Sequence, residues 1–120
     1  MFKPNPKPKF RRRKRKEPAT EAELKHLEHI KSMCCCVCHK PAPSEAHHIV
    51  RSNERLGHFY TIPLCYYHHE GANRSIGNAR KTFEGLYGSE FLLLKQTCDI
   101  LGIDFDELMG RFKVKFHLDF

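Results

Sequence analysis

Two short motifs constrain this chain more than anything else in it: Cys35-x-x-Cys38 and, after 26 intervening residues, Cys65-x-x-His68. Each offers two soft ligands from one tight turn, so together they suit a tetrahedral structural zinc that closes the intervening chain into a loop. A fold that satisfies both must bring the two turns together. Cys34 and Cys36 crowd the first turn, but only Cys35 makes the interval with Cys38 that the second motif repeats. Six cysteines could build disulfides in a secreted chain. Clustered beside a histidine-rich region, they read instead as the reduced thiols of a metal site.

At 120 residues there is room for one domain, and 40 % hydrophobic content suffices for a small core. The net charge of +7 is unevenly spread, because residues 1–16 carry nine of the 21 Lys and Arg and no acid. From Glu17 onward twelve basic residues face fourteen acidic ones. Pro4, Pro6 and Pro8 between lysines, and the unbroken cationic run 11–16, cannot build a core and keep the chain extended. Residues 1–18 are therefore expected to form a disordered basic arm and 19–120 the folded domain. No stretch reaches the roughly 20 apolar residues of a bilayer span, and no apolar signal segment follows the cationic start. The expectation is a cytoplasmic protein without a membrane partner.

Thr20 and Glu23 have the spacing of a capping box, and Ala22, Leu24, Leu27 and Ile30 supply an apolar face, which predicts a helix over 20–32. Strand-like content over 46–50 and 59–64 flanks a polar loop, RSNERLGH, and Pro63 makes the second strand an edge or ends it. A helical stretch is expected after Cys65 up to Arg74, broken by Gly77. Ser89 can cap a helix bearing Phe91, Leu94, Cys98 and Leu101 and ended by Gly102, and Asp104 with Glu107 can cap a final short one. The fold class is small α+β.

Five of the nine histidines lie between His47 and His69. On a helix, His69 and Asn73 are four apart and share a face, while His68 points about 100° away, toward the zinc. His47 and His48 are neighbours in a strand-like segment and point to opposite sides. This suggests a division of labour in which His47 joins His69 and Asn73 around a second ion, while His48 stays unligated. Two imidazoles and one amide oxygen leave coordination positions open for water and a phosphate oxygen, as catalytic sites need. A histidine titrating near neutrality suits a general base.

The series CCVC, EAHHIV and TIPLCYYHH followed by Asn73 resembles the HNH endonucleases, the ββα-metal superfamily, in the form where a zinc knuckle supports the motif. Within it the chain is most similar to the phage recombination enhancement function (Ref) proteins, which are RecA-dependent nucleases. The likeness covers about residues 33–95, with the basic arm similar in composition. It implies a ββα-metal core flanked by an N-terminal helix and C-terminal helices. It implies His47, His69 and Asn73 as catalytic-metal ligands, His48 as the general base, and Cys35, Cys38, Cys65 and His68 as the structural zinc site. The asparagine that would orient the general base is missing, with Tyr60 and Thr61 nearby; a backbone carbonyl or His58 could take its place.

The chemistry expected of such a site is hydrolysis of a DNA phosphodiester with a divalent cation, Mg²⁺ or Zn²⁺, and with low sequence selectivity. Arg51, Arg55, Arg74, Arg80 and Lys81 are placed for phosphates rather than bases. Lys9, Arg11, Arg12, Arg13, Lys14, Arg15 and Lys16 in the arm would add salt-sensitive, sequence-independent affinity for DNA. The Ref likeness further implies a RecA filament as partner, in the host cytoplasm for a phage-encoded chain, and no small-molecule substrate. Two alternatives share the same residues: a zinc-stabilised DNA-binding module without catalysis, and a recombination accessory that acts by contacting RecA.

Overall fold

Helix α1 (Glu21–Ser32) starts where its capping box directs, with the Thr20 hydroxyl accepting from the Glu23 amide and the Glu23 carboxylate accepting from the Thr20 amide. The computed structural model describes residues 17–51 and 53–116, with side chains as far as Arg111. The expected arm lies outside the described residues except for Glu17 and Pro18, and with it Lys9 and the run 11–16.

After α1 come strands β1 (Glu45–His48), β2 (Val50–Arg51), β3 (Glu54–Arg55) and β4 (Thr61–Leu64). A π-helix (Tyr67–Gly71) and helices α2 (Arg80–Tyr87), α3 (Glu90–Leu101) and α4 (Phe105–Phe116) follow. The described part is a small α+β structure with two two-stranded antiparallel sheets, β1 with β4 and β2 with β3. In the first, His47 lies opposite Ile62 and His48 opposite Thr61. Two-stranded sheets are marginal alone, and here β4 is wholly buried under α1 and α3. Ile49, Ile62, Leu64, Phe83, Leu94 and Cys98 form the heart of the core. Ser89 caps α3 through the Leu92 amide, Gly102 ends it in the left-handed region at φ 72°, and Asp104 accepts from Glu107 at the start of α4.

The structure corrects four boundaries. The first strand starts at Glu45 and stops at His48, so Val50 belongs to a second hairpin rather than to the strand expected over 46–50. From Arg51 on, that hairpin occupies the segment expected to be a polar loop, and Asn53 in its turn adopts φ 62°, which asparagine tolerates better than most residues. The strand expected over 59–64 begins only at Thr61, and Pro63 is accommodated because, among the described residues, the sheet has no third strand. The helix expected to reach Arg74 ends at Gly71, because the Ala72 amide closes a wide turn onto the Tyr67 carbonyl and Ala72 itself is extended. Gly77 does not break that helix but packs on it. Its amide donates to the His69 carbonyl, and a Cβ at Gly77 would stand 2.8 Å from that oxygen.

His26 on α1 is only 7 % exposed, rests on Phe59, and has no partner for Nε2 among the described residues. Burial holds its pKa below the ordinary histidine value. The unfolded chain, titrating near 6.5, therefore binds more protons in mildly acidic solution. Stability is expected to fall as the pH drops from about 7 through the depressed value of His26, and to level off below it. Urea melts of His26→Phe between pH 5 and 7 should show a shallower fall; a slope equal to the native one would assign it to other groups.

Candidate metal centre and histidine site

The first knuckle is a tight turn closed by backbone hydrogen bonds. The Cys35 amide donates to the Lys40 carbonyl at 3.0 Å and the His39 amide to the Cys35 carbonyl at 2.9 Å, with His39 at φ 59°. The Cys36 amide donates to the Pro63 carbonyl and docks this turn on β4, two residues before the second motif begins at Cys65. The π-helix then carries His68 back, so that its Nδ1 stands 3.2 Å from Cys65 Sγ and 3.9 Å from Cys35 Sγ. Cys38 Sγ and Cys65 Sγ are 3.8 Å apart. A tetrahedral zinc with bonds of about 2.3 Å to sulfur holds two sulfurs about 3.8 Å apart. The ligand atoms of Cys35, Cys38, Cys65 and His68 all lie within 4.8 Å of one another, and the four can hold a metal ion such as zinc.

The surroundings also select the right thiol. Burial works against a Cys35 thiolate, but the backbone of Cys38, Cys65 and Val37 outweighs it and holds Cys35 below its ordinary value. Next door, burial with the neighbouring Cys35 charge pushes Cys36 up to about 12, which leaves it a protonated packing residue. Burial lowers His68 and favours the neutral ring that a metal ligand requires.

The histidine doublet splits across β1, as strand geometry demands. His47 meets the His69 ring edge to face at 5.1 Å, and His48 turns to the other side, where its Nε2 lies 3.0 Å from His58 Nδ1. The π-helix thus serves both sides, with His68 directed to the thiols and His69 to His47. Asn73 is not brought along. It lies two residues beyond the helix, exposed, makes no hydrogen bond to either histidine, and lines a cavity of about 630 Å³ with Tyr67, His68, Arg74 and Tyr87. The four-residue spacing that placed it beside His69 presumed a helix that the structure ends at Gly71.

Two carboxylates complete the site, and the sequence-based expectations contain neither. Glu90, 2 % exposed in the first turn of α3, accepts from His47 Nε2 at 2.8 Å through Oε2. Its Oε1 accepts from Arg51 Nη1 at 3.1 Å and lies 3.2 Å from Arg80 Nε, which donates its hydrogen to Glu84 Oε1 at 2.9 Å. Burial opposes its charge, but the hydrogen bonds from His47 and Arg51 outweigh that and hold the carboxyl below its ordinary value. Glu45 accepts from His69 Nδ1 at 2.7 Å. Glu45 could have been found, since it sits two residues before His47 on the same face of the strand. Glu90 carries no comparable local signal. Among the arginines expected to meet phosphate, Arg51 is engaged by Glu90 and stacked 4.7 Å from the Phe91 ring, while Arg55 and Arg74 are exposed.

Among the described residues no helix is long and apolar enough to cross a membrane. A family model, DUF968, described as a protein of unknown function, matches residues 3–102. No curated protein and no solved structure matches the chain.

Proposed function

The chain belongs to the DUF968 family, and for it we propose the function of a metal-dependent HNH endonuclease that hydrolyses DNA phosphodiester bonds. The split doublet is the observation that carries the proposal: His47 stands against His69 on one face of β1 while His48 pairs with His58 on the other. The chain order of β1, β4 and the π-helix, with the Cys/His cluster beside them, supports a ββα-metal core on a zinc knuckle.

Cys35, Cys38, Cys65 and His68 would hold the structural zinc. His47 and His69 would hold a second divalent cation, Mg²⁺ or Zn²⁺, with Asn73 supplying a carboxamide from the turn that follows. When bound, that cation would supply positive charge to the scissile phosphate and the departing 3′ oxygen. The remaining tasks fall to the side chains. His48 takes the proton of the attacking water, the general-base task that imidazole side chains perform most often. His58 fixes the orientation of that ring, the task for which the family likeness would supply an asparagine. Exposed Arg55 and Arg74 meet phosphates, which fixes position on DNA without reading bases. The Ref likeness extends the proposal to DNA in or beside a RecA filament, in the cytoplasm, during recombination.

One observation favours a second function, a non-catalytic zinc-stabilised protein that binds DNA or RecA: the exposed Asn73, apart from the two histidines it would have to join. Incubating the zinc-loaded protein with DNA over a panel of divalent cations, with and without RecA, decides between them. Metal-dependent strand cutting is expected, strongest with RecA, and intact DNA under every condition would leave the binding function standing. Deleting residues 1–16 is expected to weaken DNA binding and to flatten its salt dependence by about 0.9 in log–log slope for each phosphate no longer neutralised. A filter-binding series between 50 and 200 mM salt reads it, and an unchanged slope would remove the arm from the interface.

A further inference from the structure

A buried carboxylate needs partners, and Glu90 has three that divide between its two oxygens. Oε1 faces the guanidinium groups of Arg51 and Arg80, and Oε2 faces His47 Nε2 at 2.8 Å. Two fixed cations keep Glu90 ionised, and an ionised carboxylate can only accept. The proton of a neutral His47 therefore sits on Nε2, and its lone pair on Nδ1. Across the site the pattern repeats with the nitrogens exchanged: Glu45 accepts from His69 Nδ1 at 2.7 Å, which leaves the lone pair on His69 Nε2. Carboxylates placed behind metal-binding imidazoles act in this way, fixing tautomer and ring orientation, and their loss typically costs about 10- to 100-fold in metal affinity or activity.

We infer that Glu90 and Glu45 are positioning residues that set His47 and His69 in opposite tautomers, so that His47 Nδ1 and His69 Nε2 are the atoms presented to a divalent cation. The inference rests on the second metal site proposed above, and it deepens that proposal by naming the ligating atoms and the groups that select them. It also gives Arg51 and Arg80 a part other than phosphate binding, since they hold the orientation of the carboxylate.

The arginines make a sharp test available in Glu90→Gln. The amide oxygen of the new side chain is drawn to the Arg51 donor and the positive charge of Arg80, which turns its NH₂ toward His47 Nε2. That nitrogen must then accept, the proton moves to Nδ1, and the lone pair needed for the cation is lost. Long-range ¹⁵N–¹H NMR of the zinc-loaded full-length protein reads the tautomers directly. In the wild type His47 should show a protonated Nε2 and His69 a protonated Nδ1, and Glu90→Gln should invert His47 alone. Should that variant fail to fold, Glu45→Gln, at a half-exposed carboxylate, should loosen the tautomer preference of His69 while leaving His47 as it was. Titration with Co²⁺ should broaden both histidines in the wild type, and Glu90→Gln should need at least about 10-fold more cation for the same effect. A wild-type His47 protonated on Nδ1, or a folded Glu90→Gln protein with an unaltered His47 spectrum and Co²⁺ response, would overturn the assignment. These measurements use no DNA, so expected tautomers and Co²⁺ binding in a protein that cuts nothing would strike the nuclease proposal alone.

Discussion

Stripping the metal from the Cys35, Cys38, Cys65 and His68 cluster is expected to unfold the protein. The cluster ties the turn before β1 to the end of β4 and the π-helix, and these surround a sheet that has two strands among the described residues. Apparent binding energies of structural zinc in small peptides are about 10–16 kcal/mol at neutral pH. A domain of this size has a total stability of about 5–15 kcal/mol. Even a fraction of the zinc energy is therefore decisive, and the core around Ile62, Leu64 and Phe83 is not expected to hold without it. Elemental analysis should find one tightly held zinc per chain, and Cys65→Ser should lose it together with the cooperative thermal transition seen by circular dichroism. Cys34→Ser should keep both, because Cys34 is exposed and outside the cluster. A metal-free protein with an unchanged cooperative melt would show that the thiols merely pack together.

Replacing His48 should abolish cutting and spare binding. Positioned general bases contribute typically about 10²- to 10⁴-fold, so His48→Ala should lower single-turnover cleavage by that factor at saturating DNA. Affinity should stay within about 2-fold, since phosphate contacts dominate it. His58→Ala should fall between the two proteins. It leaves the base in place but removes the group that holds Nε2 at 3.0 Å, and the ring can then occupy unproductive rotamers. Imidazole added to His48→Ala should restore part of the rate. Full cleavage by His48→Ala would transfer the proton to another group, and His58, its immediate neighbour, would be the next to substitute.

How much of this was legible beforehand depends on distance along the chain. The capping box of Thr20, the Ser89 cap and the Gly102 stop follow from contacts within a single turn, and the structure has all three. The opposite orientations of His47 and His48 follow from the two-residue period of a strand, and those of His68 and His69 from helical rotation; the structure has both. The end of the π-helix at Gly71 did not follow. Nothing in YYHHEGAN distinguishes a wide turn from an ordinary one until Gly77 folds back against the His69 carbonyl.

The sequence alone therefore determined which side chains can hold zinc, where the long helices begin, and that the histidine doublet must divide, because each of these is fixed by spacing over a few residues. Tertiary structure decided who stands behind the histidines. Glu90 is 43 residues from His47 and Glu45 is 24 from His69, and only the packing of α3 and the π-helix against the β1–β4 sheet brings those carboxylates within hydrogen-bond reach. A buried charge accepts whatever partners packing delivers, and no local pattern records which those will be.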